Sequence, residues 1–303
     1  MSKKEPVNFN HSIHSRLRNW SRENSLDHNF VMNRYACERL LYRLSISEYA
    51  DEFVLKGAML FSIWSDEPFR PTKDIDLLGF GEDSEERLRG IFQEVCSVKP
   101  KQPDGLTFDT RKITVESIRE PQEYQGKRIF IPVTNTRIKV QVDVGFGDII
   151  TPTAIEIDYP SLLDMPAARL KAYNRETVIA EKLEAIVSLG VQNSRMKDYY
   201  DLLIMSFKYE FTGSLLRDAI ESTFSRRKTK PPSGIPDGLN PELTLIRDKK
   251  TQWDAFIKRN RLETNHEFAE AASRLCDFLI PPLNAVSLKE SFCENWTPGG
   301  KWA

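Results

Sequence analysis

Residues 70–78 read RPTKDIDLL, and the two aspartates at 74 and 76 decide what kind of fold the chain has. In an extended strand alternate residues share a face. Arg70, Thr72, Asp74 and Asp76 then point one way, if the extended conformation begins that early, while Ile75 and Leu77 point into a core. Burying an unpaired carboxylate is costly, so a pair one strand repeat apart is best explained by a hard cation gripped between them. A chance D-x-D on a solvated edge is the plainer alternative. The buried-type neighbours and a second acidic strand count against it.

That second strand is TRIKVQVDVGFGD, residues 136–148, the cleanest period-two alternation in the chain. Ile138, Val140, Val142 and Val144 take one face; Lys139, Gln141 and Asp143 take the other. Asp143 either faces solvent or meets Asp74 and Asp76 from a neighbouring strand. Three converging carboxylates are what a two-metal phosphoryl-transfer site needs.

Other stretches fit around this pair of strands. FVLKGAMLFSIW (53–64) reads as a short strand, Phe53–Leu55, then a glycine, then a helix from Ala58 to Trp64. A glycine at such a junction lets a phosphate approach the backbone, and the helix start offers free N–H groups. In RETVIAEKLEAIVSLG (175–190), Ile179, Leu183, Ile186 and Gly190 cluster on a wheel turning about 100° per residue, and Lys182 flanks them. Lys182 either snorkels or supplies a point charge for phosphate. In Arg195-Met-Lys-Asp198-Tyr-Tyr-Asp201 the two acids share a face near a helix start, where they also complement the helix dipole. RRKTK at 226–230 is either a solvated loop or a clamp for a nucleic-acid backbone; with no interleaved aromatics, base stacking there is not expected.

The bulk numbers bound the rest. The 303 residues, 40% hydrophobic and 29% charged, suit a globular protein of one large or two ordinary domains. A net charge of −1 argues against a generic polyanion binder, but it hides an uneven distribution. Residues 195–261 carry 14 Lys/Arg against 9 Asp/Glu, and residues 1–50 carry 8 against 5, leaving −9 elsewhere. None of Cys37, Cys96, Cys276 and Cys293 has zinc-type spacing, so free thiols are expected. No apolar run is long enough to span a membrane and MSKKEPVNFNHS lacks an apolar signal core, so a cytoplasmic protein with no membrane partner is expected.

Periodicity places helix through much of 11–49, a helix at 83–96, and β-rich segments near 107–118, 127–134 and 136–146. After Pro160 the character turns helical. A helix at 175–190 ends on Gly190 as C-cap, and another at 194–209 starts on Ser194 as N-cap. A Pro/Gly-rich basic loop covers 225–241. Helices near 242–259 and 266–280 follow, and the last 20 residues are weakly patterned.

FVLKGAMLF, FRPTKDIDLLGFG, VQVDVGFGD, ETVIAEKLEAIVSLG and SRMKDYYDL occur in that order between residues 29 and 208. Together they resemble the AbiEii/AbiGii abortive-infection nucleotidyltransferase toxins, the MenT type among them, of the DNA polymerase β-like nucleotidyltransferase superfamily. The resemblance implies an α+β fold: a mixed-sheet nucleotidyltransferase core with N-terminal helices over 1–165, then a mainly helical domain over 166–303. It implies a metal site of Asp74, Asp76 and Asp143, with Asp143 as a candidate base. Lys182 and Asp198 join these three as catalytic residues. Lys56, Gly57, Ala58, Arg70, Thr72 and Lys182 are implied as nucleotide contacts.

The implied cofactor is Mg²⁺, two ions, with Mn²⁺ as a substitute. The implied activity is transfer of NMP from an NTP to an RNA acceptor, the tRNA 3′ end foremost, by a toxin with a cognate antitoxin protein. A protein or small-molecule hydroxyl is the alternative acceptor, and a catalytically weak nucleotide-binding relative is a further alternative. One departure stands out. Many relatives carry K-G-G followed by Thr or Ser, whereas this chain has Lys56-Gly57-Ala58-Met59, with Ser62 one turn on.

Overall fold

The structure, a computed structural model, describes residues 9–64, 71–119, 125–240, 242, 247–262, 264 and 266–303. These fall into two compact units. One comprises the described residues up to Gly147 with Ile155–Ala172; the other comprises Asp148–Ala154 and Tyr173–Ala303.

The first unit is built on a seven-stranded mixed sheet. Its helices are α1 (Phe9–Glu23), α2 (His28–Ser45), α3 (Phe61–Trp64) and α4 (Glu85–Ser97). Its strands are β1 (Phe53–Lys56), β2 (Asp74–Gly79), β3 (Thr114–Arg119), β4 (Gln125–Pro132), β5 (Lys139–Phe146), β6 (Ile155–Tyr159) and β7 (Ala168–Ala172). The strand order is β3-β4-β5-β2-β1-β7-β6. β2 runs parallel to β5, and β1 parallel to β7; the other neighbours are antiparallel. The central strands β2 and β5 bury Ile75, Leu77, Val140, Val142 and Val144. Asp74, Asp76, Lys139, Gln141 and Asp143 alternate with them, which leaves a charged row on one face.

α2 starts at an Asp27 cap whose side chain accepts from Phe30 N. It is buried on nearly every side, including Glu38, Arg39 and Arg43. Each of these charges has a partner, as burial demands. Glu38 accepts from the Ser161 hydroxyl and Leu162 N, Arg39 donates to Pro166 O, and Arg43 to Asp104 and Leu106 O.

The second unit is helical. It holds α5 (Arg175–Leu189), α6 (Met196–Lys208), α7 (Gly213–Arg226), α8 (Arg247–Asn260) and α9 (Phe268–Leu288), with a two-stranded ribbon of β8 (Phe211–Thr212) and β9 (Asn295–Trp296). Leu183, Ile186, Leu202, Leu203, Leu216, Ile220, Phe224, Leu275, Phe278 and Leu279 form its core. Among the described residues no helix is long and apolar enough to cross a membrane.

Several expectations are corrected. The helical character expected after Pro160 gives way to β7, whose sequence ARLKA is made of good helix formers yet alternates buried and exposed. Pairing with β6 and β1 overrides its intrinsic preference. The expected helix from Ala58 is a 3₁₀ turn over Gly57–Leu60 before the short α3. The segment from 107 does not become regular strand until Thr114.

α6 is capped at Arg195 and not at Ser194; Asn193 Oδ1 accepts from Arg195 N. Gly190 does close α5, at φ +51°. α9 continues through Pro281 and Pro282 to Leu288, beyond the stop that a proline pair suggests. Arg70 lies outside the described residues.

Candidate active site

In the parallel β2–β5 ladder, Asp76 lies opposite Asp143 and Asp74 opposite Gln141. The pleat puts all four side chains on the same face. Asp74, Asp76 and Asp143 each offer one carboxylate oxygen, and these three atoms lie within 4.8 Å of one another. Ile75 and Leu77, 1% and 2% exposed, hold β2 from the opposite face. Three oxygen-only donors, none of them His or Cys, suit a hard divalent cation better than zinc or copper. The triad could therefore hold a metal ion.

Neighbours fix the geometry. Thr72 precedes the strand, and its hydroxyl donates to Asp74 Oδ1 at 2.6 Å. Asp143 accepts a two-pronged bond from Arg128 of β4, Nε to Oδ1 and Nη2 to Oδ2, both at 2.8 Å. Gln141 Nε2 donates to the same two oxygens at 3.2 and 3.1 Å. The bond to Asp143 is foremost in raising the Arg128 guanidinium above its ordinary value. Arg128 was not singled out from sequence. The signal was available: the β4–β5 hairpin pairs Pro132 with Lys139, and counting back along both strands pairs Arg128 with Asp143.

Gly57 has a different role from the one its motif suggests. Its φ is +73°, and a Cβ placed there would lie 2.0 Å from Asp76 Oδ2 and 2.6 Å from Asp76 Cγ. The space left by the missing side chain is taken by the Asp76 carboxylate. β1 lies beside β2 here, with Lys56 paired to Asp76. Ala58 is not in the left-handed region and its side chain is buried, so nothing local demands a second glycine. Ser62 is hydrogen-bonded to Tyr159, whose phenol is pushed up to about 12, chiefly by burial.

Gly57→Ala is accordingly expected to impair the site more than the fold. A left-handed alanine costs about 1–2 kcal/mol, while the methyl drives Asp76 out of place. Paired measurements of melting temperature and Mn²⁺ binding check this; full Mn²⁺ affinity in Gly57→Ala would contradict it.

The second unit gathers Lys182, Asp198 and Asp201. Lys182 Nζ lies 2.7 Å from Asp198 Oδ1 and 2.8 Å from Asp201 Oδ2, and both carboxylates are 0% exposed. Arg195 Nε approaches Asp198 Oδ2 at 2.6 Å. Burial pushes the Asp198 carboxyl up, but Lys182, Arg195 and Lys197 outweigh it and bring it down to about 2. Lys182 is thus tied down by two buried acids, and the snorkelling alternative fails. The neighbouring side of α5 carries another buried network: Arg227 contacts Glu184 at 2.8 Å, Asp148 at 3.3 Å and Glu181 at 3.4 Å.

The chain thus has a mixed sheet bearing a carboxylate triad and a helical unit carrying a buried Lys–Asp pair. The family model described as nucleotidyl transferase AbiEii toxin, type IV toxin–antitoxin system, matches residues 39–274. The chain belongs to this family. No curated protein matches it.

Two solved structures from H. pylori are similar at 12% identity. One, described as a candidate nucleotidyltransferase, has a TM-score of 0.48 and is matched over 87% of this chain and 97% of that one. The other, JHP933, has a TM-score of 0.49 and is matched over 87% and 94%.

Proposed function

We propose that this chain is a Mg²⁺-dependent nucleotidyltransferase that moves NMP from an NTP to an RNA 3′ end, that of tRNA foremost, as the toxin of a toxin–antitoxin pair. The observation that carries the reading is the convergence of Asp74, Asp76 and Asp143 on one sheet face. When bound there, a divalent ion neutralises triphosphate charge and lowers the pKa of the attacking hydroxyl.

The reaction has simple bookkeeping. The acceptor hydroxyl oxygen bonds to the α-phosphorus, the bond from that phosphorus to the β-bridging oxygen breaks, pyrophosphate leaves, and the hydroxyl proton goes to solvent. Asp74 and Asp76 act as ligands, with Thr72 fixing the orientation of Asp74. The two-pronged bond from Arg128 orients Asp143, which is proposed as the third ligand. Lys182 is proposed to offer its ammonium to a phosphate, held in place by Asp198 and Asp201. Lys56 is proposed as a further phosphate contact.

RNA as acceptor is supported by the basic loop. Arg227 and Thr229 are anchored on Glu184, while Arg226, Lys228 and Lys230 are exposed. Three of the five residues of RRKTK are thus exposed cations. Replacing Arg226, Lys228 and Lys230 together by alanine is expected to weaken RNA binding across all sequences. The slope of log affinity against log salt should flatten by about 2, at about 0.7 per lost single-strand phosphate contact. Filter binding at several salt concentrations measures this; an unchanged slope would remove the loop from the RNA surface.

The function itself is tested by incubating the chain with labelled NTPs, Mg²⁺ and an acceptor panel of total tRNA, protein and aminoglycosides. Label on RNA alone supports the reading. Label confined to protein or aminoglycoside overturns the RNA assignment.

A further inference from the structure

Asp143 is saturated as an acceptor. Arg128 and Gln141 direct four donor contacts at its two oxygens, between 2.8 and 3.2 Å. An ionised carboxylate has about four lone-pair sites. A metal ion can take Asp143 as a ligand only if one of those contacts is given up. The Arg128 fork is no wandering surface side chain, since Arg128 and Asp143 are direct cross-strand partners in the β4–β5 ladder. Asp143 is 17% exposed and Arg128 34%, so the guanidinium is held at the rim with an open side. Asp74 and Glu116 add to the negative field that keeps it there.

We propose that Arg128 is an exchangeable counter-ion for the third carboxylate. It holds Asp143 and offsets one of the three negative charges that the sheet forces together. When Asp143 turns an oxygen to a metal ion, a like charge stands beside that ion, and the guanidinium is released to a phosphate of the incoming nucleotide. Its planar fork suits a phosphate as well as a carboxylate. Metal loading and nucleotide loading are then linked through one side chain, and the linkage works in both directions. Arg128 is in this sense a positioning residue that becomes a substrate contact. The inference rests on the metal-site reading above.

A purely structural ion pair makes the opposite prediction. If Arg128 only braced Asp143, its loss would disorder the carboxylate and weaken metal binding. If Arg128 competes, its loss strengthens binding. Mn²⁺ affinity, read from the free-ion EPR signal of the full-length protein, separates the two without reference to turnover. The proteins compared are the wild type, Arg128→Met, Arg128→Lys and Asp74→Asn, each checked by thermal melting.

Arg128→Met is expected to bind Mn²⁺ about tenfold more tightly than wild type, the order of effect for removing one screened like charge at a partly exposed site. Arg128→Lys, which keeps the charge and loses the fork, should stay near wild type, so a poorly folded methionine variant does not remove the test. In transfer assays KM for NTP should rise more than kcat falls in Arg128→Met, because a phosphate contact has gone. Unchanged or weaker Mn²⁺ binding in folded Arg128→Met, with wild type binding in an Asp74-dependent manner, overturns this inference alone. Wild type that binds no Mn²⁺, or binds it equally well as Asp74→Asn, overturns the metal-site reading and this inference with it.

Discussion

Asp76→Asn is expected to abolish nucleotidyl transfer while leaving the fold intact. Asp76 stands in the middle of the site. It faces Asp143 across the parallel ladder, pairs with Lys56 across the antiparallel one, and fills the space that Gly57 leaves open. Asparagine keeps the shape and removes the charge. Losing one of three carboxylate ligands forfeits several kcal/mol of transition-state stabilisation, a fall of about a thousandfold in kcat. Stability should move little, because asparagine fills the same space beside Gly57. Transfer of label and a melting curve in EDTA make the paired measurement. A large loss of melting temperature would mean that Asp76 serves the fold, and the site assignment would need to change.

Lys182→Met is expected to act on stability first. The substitution leaves Asp198 and Asp201, both fully buried, without the ammonium that bridges them. Breaking a buried ion pair from one side costs about 3–5 kcal/mol. Arg195 still approaches Asp198 but is 41% exposed and offsets only part of that. Urea denaturation should therefore show a much lower midpoint, and adding Asp198→Asn and Asp201→Asn to Lys182→Met should recover a good part of it. If the triple variant is no more stable than Lys182→Met, buried charge is not the cause.

The same cluster sets an acid limit. The folded carboxyl of Asp198 lies near 2, below its ordinary 3.8. A depressed acid contributes stability that is fully present above 3.8 and is lost as pH falls through about 2. Lys182→Met removes the foremost influence holding it down, so acid unfolding should begin at a higher pH than in the wild type.

The carboxylate triad was legible because strand chemistry is local. Period-two alternation in DIDLL and VQVDV assigns Asp74, Asp76 and Asp143 to polar faces without any knowledge of the partner strand. What periodicity could not supply was tertiary. ARLKA has no intrinsic strand preference; it is a strand because β6 and β1 offer it partners. The helix expected near 266–280 runs on to Leu288, past Pro281 and Pro282, inside a packed unit. Gly57 read as a phosphate-approach glycine, and its clearance is filled by a carboxylate that lies 19 positions along the chain and is brought back by the β1–β2 pairing. Arg128 escaped notice because a lone arginine on a strand carries no periodic signal; its meaning comes from the register that places it opposite Asp143. The shared face of Asp198 and Asp201 was visible as spacing, but their burial and their pairing with Lys182 were not, since those contacts join two different helices.

The central claim is that the face of β2 and β5 carrying Asp74, Asp76 and Asp143 is a metal-dependent nucleotidyl-transfer site acting on RNA. The most direct test is to incubate wild type and Asp76→Asn with each of the four α-labelled NTPs, Mg²⁺ and total tRNA, with an EDTA control, and to resolve the RNA on a denaturing gel. The account predicts label on RNA from at least one NTP with wild type and Mg²⁺, and none with EDTA or Asp76→Asn. Absence of label from all four nucleotides, or equal labelling by Asp76→Asn, would contradict it.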